Sequence, residues 1–80
     1  MNMSKPRTPA AVRAEFIAYG ITVSSWCRER GFHRLTVVDL LRGKRVGIRG
    51  EAHLAAVALG LKPDPRTRRI HHPFEERLAA

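Results

Sequence analysis

The sequence of 80 residues contains a single cysteine, Cys27. One cysteine excludes a disulfide within the chain, and a lone thiol is typical of proteins from a reducing compartment. No hydrophobic run approaches the roughly 20 apolar residues that a membrane-spanning helix needs. The first residues, MNMSKPRTP, lack the apolar core of a signal peptide. We therefore expect a cytoplasmic protein that has no membrane partner.

Acidic residues are also scarce, because 7 of them face 15 lysines and arginines, for a formal net charge of +8. Such an excess in one small domain indicates a negatively charged partner, and nucleic acid is the commonest. A membrane surface would require a basic amphipathic helix with a broad apolar face. A basic surface that serves only solvation is the other alternative.

Patterns that carry catalytic or metal chemistry are missing as well. The four histidines and Cys27 have no spacing that assembles a tetrahedral metal site. No phosphate-cradling G-x-x-x-x-G-K-[ST] is present, and Ser24 and Ser25 have no evident base and orienting acid. The sequence therefore predicts no catalytic residues, no metal ligands, no cofactor and no enzymatic activity.

Two short helices joined by a glycine turn are predicted within TVSSWCRERGFHRLTVVDLLRG, residues 22–43. Thr22 can cap the first helix, 23–30, on which Val23, Trp26 and Cys27 share one face. Gly31 stands where the chain must reverse, because glycine tolerates the left-handed conformation that ends many helices. The second helix, 34–42, ends at Gly43. This is the plan of the DNA-binding helix-turn-helix.

The second helix divides into two faces, of which the inner one carries Val37, Leu40 and Leu41. The outer face combines arginine with exposed aliphatic groups, and these chemistries recognise guanine and the thymine methyl. Asp39 either accepts from a cytosine amino group or pairs with Arg42 one turn on, and we favour the pairing. The side chains expected to read base edges are Arg34, Leu35, Val38 and Asp39.

Residues 43–50, GKRVGIRG, follow this helix directly and contain three glycines and three basic residues. Glycine lets backbone amides approach a phosphate closely, although a simple solvated loop is the alternative. The side chains expected to bind phosphates are Arg42, Lys44, Arg45 and Arg49.

Two further helices are expected to complete a four-helix core. One begins at Thr8-Pro9, carries the stripe Val12, Phe16 and Tyr19, and ends at Gly20. The other spans residues 51–59 before Gly60, with a stripe of Leu54, Val57, Ala58 and Leu61, and His53 as a hydrogen-bonded structural residue. The small residues of this helix are expected to allow close helix packing, namely Ala52, Ala55, Ala56 and Ala58. The predicted centre of the core is Phe16, Trp26, Phe32 and Leu40.

Composition divides the chain into a flexible basic arm (1–7), a helix-turn-helix domain (8–62) and a linker with a tail (63–80). The tail contains PFEERLAA, which is compatible with a short helix that carries Phe74 and Leu78. Docking onto the domain, pairing with another protomer and disorder all remain open for it.

Three segments, GITVSSWCRERGF, VVDLLRGKR and RGEAHLAAVALGLK, together resemble a known family over about residues 19–62. It is the family of small DNA-binding proteins of Mu-like phages and prophages, the Ner-like regulators. The run RG-x-x-H-x-x-AVALGLK at 49–62 is the most specific part. The resemblance implies an all-α, lambda-repressor-like helix-turn-helix bundle of four to five short helices. It does not cover the extended C-terminal tail, which is inferred from composition. Its groove-facing positions fall on Arg34, Leu35, Val38 and Asp39.

The sequence interpretation is thus a sequence-specific transcriptional regulator of phage origin that binds double-stranded operator DNA. It would act in the cytoplasm of a bacterial host, with the nucleoid, and a homodimer is left open. One alternative is an accessory factor of phage transposition or transcription that binds a protein through Phe74 and Leu78. The other is a non-specific nucleic-acid-binding protein that acts through charge alone.

Overall fold

Four α-helices make up the regular structure of residues 5–75, the part of the chain that the computed structural model describes. They are α1 (Pro9–Tyr19), α2 (Val23–Arg30), α3 (Arg34–Leu41) and α4 (Gly50–Leu59). No strand occurs within this range. The prediction of a compact all-helical domain is therefore confirmed.

The ends of the helices follow the capping residues of the sequence. Thr8 and Thr22 accept hydrogen bonds from the amides of Ala11 and Ser25, each over 3.1 Å, and so satisfy donors at the starts of α1 and α2. Gly20 and Gly31 end these helices in the left-handed conformation, with φ of 66° and 77°. The predicted boundaries of both helices are confirmed.

Helix α3 lies at the centre of the fold, in contact with α1, α2 and α4. Its inner side chains Val37, Leu40 and Leu41 are all buried, as the sequence predicts. Because three helices pack on one side of α3, only its opposite side is left to face outward.

Aromatic rings fill the space between α1, α2 and the turn that follows α2. Trp26 and Phe16 are buried and meet edge to face, with ring centroids 5.9 Å apart. Phe32 is half-buried and stacks on Trp26 at 5.7 Å. Three of the four predicted central residues are thus buried, and the fourth, Phe32, packs against the core from its edge.

The chain returns to this aromatic cluster after α4, through the C-terminal segment, residues 61–75. Phe74 is 1% exposed, and its ring lies 4.9 Å from that of Phe16 and 4.8 Å from that of Tyr19. The indole Nε1 of Trp26 donates to the carbonyl oxygen of Pro73 over 2.7 Å. Through residue 75 the chain is therefore packed on the helices and not extended, because its aromatic ring completes the core. Leu78 lies outside the described residues.

Three surface contacts reinforce this packing. Nε2 of His72 lies 2.8 Å from the carboxylate of Glu15 on α1, and the guanidinium of Arg7 pairs with the same carboxylate. The backbone amide of Arg7 also donates to the carbonyl of Gly60 over 2.9 Å. The predicted flexible arm is thus fixed at Arg7, and residues 1–4 lie outside the described range.

Helix α4 matches its prediction in part, because three of the four alanines expected to allow close packing are buried, and Ala58 and Leu61 of the predicted stripe pack against the core. Its buried residues are Ala52, Ala55, Ala56 and Leu59, whereas Leu54 of the predicted stripe is 61% exposed. Small alanine side chains let α4 approach α3 closely, which explains why this side faces inward. His53 is half-buried, but no atom of residues 5–75 hydrogen-bonds to its buried Nδ1, so the hydrogen bond expected for this side chain is not formed at that atom.

Candidate nucleic-acid interface

Residues 31–33 connect α2 to α3 and set where α3 begins. Gly31 reverses the chain, and the amide of Phe32 donates to the carbonyl of Cys27 over 3.0 Å. The Phe32 ring then stacks on Trp26, which anchors the connection to the core. The start of α3 is consequently held in a defined position on the surface.

A carboxylate from another helix binds the start of α3. The residue before α3, His33, makes no cap with its own side chain. Its backbone amide instead donates to Oε2 of Glu51 over 3.1 Å, and the hydroxyl of Thr36 donates to Oε1 over 3.3 Å. The bond from the His33 amide, followed by that from its ring, holds the pKa of Glu51 below its usual range. Sequence reasoning placed Glu51 only in its own helix and missed this contact.

The outward side of α3 presents part of the predicted base-reading set. Arg34 is exposed, and Leu35 is 67% exposed although it is a large aliphatic residue. Val38 and Asp39 are half-buried. The first turn of α3 therefore presents a cation and an aliphatic group side by side, while the next turn is partly covered.

Val38 lies on the wall of an apolar cleft between α1, α2 and α3 of about 430 Å³. The guanidinium of Arg13 crosses from α1 to the carbonyl of Leu41 at the end of α3. The aliphatic residues around the cleft are Ile17, Ile21, Val23, Val38 and Leu41.

Asp39 pairs with Arg45 and not with Arg42, so the pairing favoured from the sequence is wrong. Nη2 of Arg45 lies 3.8 Å from Oδ2 of Asp39. The chain turns back after α3 at Gly43, whose φ is 76°, and the amide of Lys44 donates to the carbonyl of Asp39 over 2.9 Å. This turn carries Arg45 toward α3. The pair is long and half-exposed, and such pairs contribute about 0–1 kcal/mol.

The four predicted phosphate-binding residues all lie in the connection between α3 and α4, the basic loop (residues 42–49). All four side chains are exposed. Within residues 5–75 only Arg45 among them forms an ion pair. The structure thus places three uncompensated cations next to the end of α3, namely Arg42, Lys44 and Arg49.

The basic loop is attached to α4 at Gly47. Gly47 is buried with a φ of 79°, and a Cβ atom there would lie 2.7 Å from the carbonyl oxygen of Ala52. Nζ of Lys62 donates to the carbonyl of Gly47 over 3.0 Å. The backbone of the loop is therefore held in place at Gly47, while the side chains on either side of Gly47 face solvent.

Residues 5–75 show no group of three or more histidine, cysteine, aspartate or glutamate side chains placed to hold a metal ion. Within the same range, every helix is too short or too polar to cross a bilayer. Burial raises the pKa of the Cys27 thiol, which therefore stays protonated near neutral pH.

Comparisons with protein-family models, with curated proteins and with solved structures gave no match to this chain.

Proposed function

We propose that this chain is a sequence-specific DNA-binding regulator of transcription, in which α2 and α3 form a helix-turn-helix and α3 enters the major groove. The observation that carries the proposal is the joint exposure of Arg34 and Leu35 on α3, directly followed by the cations of the basic loop. A helix that reads bases needs such a free outer side, with positive charge beside it for the backbone.

Arg34 and Leu35 are the proposed centre of base recognition. They lie in the first turn of α3, and the N-terminal residues of a recognition helix are those that contact base edges. The arginine fork fits the two acceptors of guanine, and leucine fits a thymine methyl. Val38 and Asp39 belong to the edge of this set, because both are half-buried.

The basic loop is the proposed phosphate contact. Arg42, Lys44, Arg45 and Arg49 follow α3 without an intervening acid, as Asp39 and Glu51 are the nearest acidic residues on either side. Neutralising phosphates releases counterions, which makes the affinity fall as salt rises. These four residues would hold the duplex without distinguishing its sequence.

The resemblance to Ner-like regulators suggests that the DNA is a phage operator and that the chain has no catalytic activity. Among the alternatives, the protein-binding accessory factor loses Phe74 as a contact, because this ring is buried in the core. Non-specific binding through charge remains a distinct outcome of the following experiment.

Selection of bound sequences from a random DNA pool tests the proposal first. We expect one preferred site, and a pool that yields none would replace this function with charge-driven binding. Arg34→Ala should then cost about 1–3 kcal/mol on the preferred site and relax the preference at one base pair. Arg66→Ala, in the C-terminal segment, removes the same charge and is the matched control.

The double variant Lys44→Ala with Arg45→Ala tests the phosphate role. It should weaken binding to preferred and random duplexes about equally. It should also reduce the slope of log K against log salt by about 0.9 for each phosphate that the variant no longer neutralises. Thermal melting of each variant is compared with the parent first, because a folding defect would imitate either effect. If Arg34→Ala weakens both duplexes equally, Arg34 contacts a phosphate and the base-reading assignment of α3 fails.

A further inference from the structure

Two large aliphatic side chains of the basic loop face solvent. Val46 is 75% exposed and Ile48 is 79% exposed. Arg45 precedes Val46 and Arg49 follows Ile48, so the two apolar groups stand between two cations. The phosphate contacts proposed above use only the cations and give these two side chains no partner.

The two side chains are held as a pair. Gly47 between them is packed against Ala52 and Ala56 of α4, and Lys62 binds its carbonyl. Because the middle residue is fixed to the protein, its two neighbours project from a defined point of the surface. Such a pair loses little conformational freedom when it binds a partner.

Val46 and Ile48 lie in the loop that follows the end of α3, so the placement of α3 indicates which part of a duplex they meet. Helix α3 has eight residues, which corresponds to a length of about 12 Å at 1.5 Å per residue. The major groove is also about 12 Å wide. With the first turn of α3 on the bases, the end of α3 reaches the phosphate backbone, and the minor groove lies on its far side.

We infer that Val46 and Ile48 make an apolar contact with the minor groove beside α3, against sugars and base edges, while Arg45 and Arg49 hold the flanking phosphates. Proteins that bind the minor groove frequently place apolar side chains there, some of them inserted between base steps. The inference rests on the proposed placement of α3 in the major groove. A polyanion is favoured over an apolar protein surface because four cations and no acid surround the pair between Asp39 and Glu51.

The double variant Val46→Ser with Ile48→Ser tests the inference on the duplex selected for the parent protein, with A·T-rich flanks. We expect affinity to fall about ten- to a hundredfold, the factor for one well-buried aliphatic side chain. The salt dependence should stay as in the parent, because no charge is removed. Thermal melting should also be unchanged, since both side chains are exposed.

Two control variants separate this contact from a general effect of polarity. Leu54→Ser changes an aliphatic residue of α4 that is 61% exposed, and should leave affinity unchanged. Val46→Leu with Ile48→Leu keeps the loop apolar, and should retain most of the affinity that the serine variant loses.

A small molecule that fills the minor groove of A·T-rich DNA locates the contact. It should lower the affinity of the parent to about that of the serine variant, and affect the serine variant much less. Equal weakening of both proteins would overturn the minor-groove assignment.

The remaining outcomes distinguish the inference from the proposed function. If the parent binds no DNA, the function itself fails. If the parent binds DNA and the serine variant binds equally well, the function stands and the inference is overturned. An unchanged affinity together with loss of a parent dimer, seen by sedimentation, would overturn it too and make the pair a surface for self-association.

Discussion

Phe74 completes a core whose other large rings lie on α1, on α2 and in the turn after α2. Its ring meets those of Phe16 and Tyr19 edge to face, and it is as deeply buried as Trp26. Removal of this ring would leave a cavity between α1 and the C-terminal segment. The core of this domain therefore depends on a residue that follows the last of its four described helices.

Phe74→Ala should destabilise the domain by about 3–5 kcal/mol, as for other buried aromatic residues. Small domains have a free energy of unfolding of about 5–15 kcal/mol, so we expect a large drop in melting temperature by circular dichroism. Leu54→Ala is the control, because Leu54 is exposed on α4 and should shift melting by little. A Phe74 variant that melts with the parent would contradict the docking of the C-terminal segment.

The burial of individual residues and the ends of helices could be predicted where they depend on residues nearby in sequence. Trp26 and Cys27 follow from a spacing of three and four residues, and helix ends follow from Thr22 and Gly31. The carbonyl that binds the Trp26 indole lies 47 residues away in sequence, and no periodicity encodes such a distance. Asp39 likewise has Arg42 and Arg45 close to it in sequence, and the turn after α3 brings Arg45, not Arg42, into contact with it.

At the scale of elements, α4 shows why the predicted stripe included one exposed residue, Leu54, although three of the four alanines expected to pack closely are buried. Apart from His53, residues 52–59 are all apolar, so the pattern indicates a buried helix without indicating which side faces the core. The close approach of Gly47 to Ala52 and Ala56 favours small side chains on that side. Which side of α4 faces inward depends on its contacts with α3 and the basic loop. The sequence of α4 alone does not determine these contacts.

Gly47→Ala should lower the stability of the domain more than Gly50→Ala. Both glycines have positive φ, of 79° and 67°, but only at Gly47 would a Cβ meet a backbone atom, at 2.7 Å. The left-handed conformation alone costs an alanine about 1–2 kcal/mol, which is our expectation for Gly50→Ala. Thermal melting compares the two, and equal shifts would show that Gly47 is not packed on α4.

At the scale of the whole molecule, two carboxylates, Glu15 and Glu51, connect separate parts of the fold, and two others, Asp64 and Glu75, bind partners within the C-terminal segment. Burial alone raises the pKa of Glu15 and of Glu75, but hydrogen bonds and neighbouring positive charge outweigh it and leave both pKa values below their usual range. The ring of His71, followed by the amide of Arg66, likewise lowers the pKa of Asp64. Glu15 thus connects α1 to the C-terminal segment, and Glu51 connects α4 to the start of α3.

We therefore predict that the domain loses stability in acid. Because the folded pKa values are lowered, the stabilisation by these carboxylates is complete above their unfolded pKa values of about 4. It disappears as the pH falls through the lower folded values. Urea denaturation from pH 7 to pH 2 should show a decline that begins below about pH 5.

Glu51→Gln provides the specific check on this pH dependence. It removes one ionisable group while keeping a side chain of similar shape, so the decline in acid should become shallower. A stability that stays constant down to pH 2 in the parent would contradict the carboxylate contacts.

Trp26 is the only tryptophan of the chain, and its surroundings give it a spectroscopic use. The guanidinium carbon of Arg30 lies 4.9 Å from the centroid of its ring, and the indole donates to Pro73. Its fluorescence therefore reports on the contact with the C-terminal segment, and Trp26 is only 1% exposed, so a ligand on the surface does not touch it. Release of that segment should shift the emission to longer wavelengths, whereas a ligand held only by α3 and the basic loop should leave the emission maximum where it is.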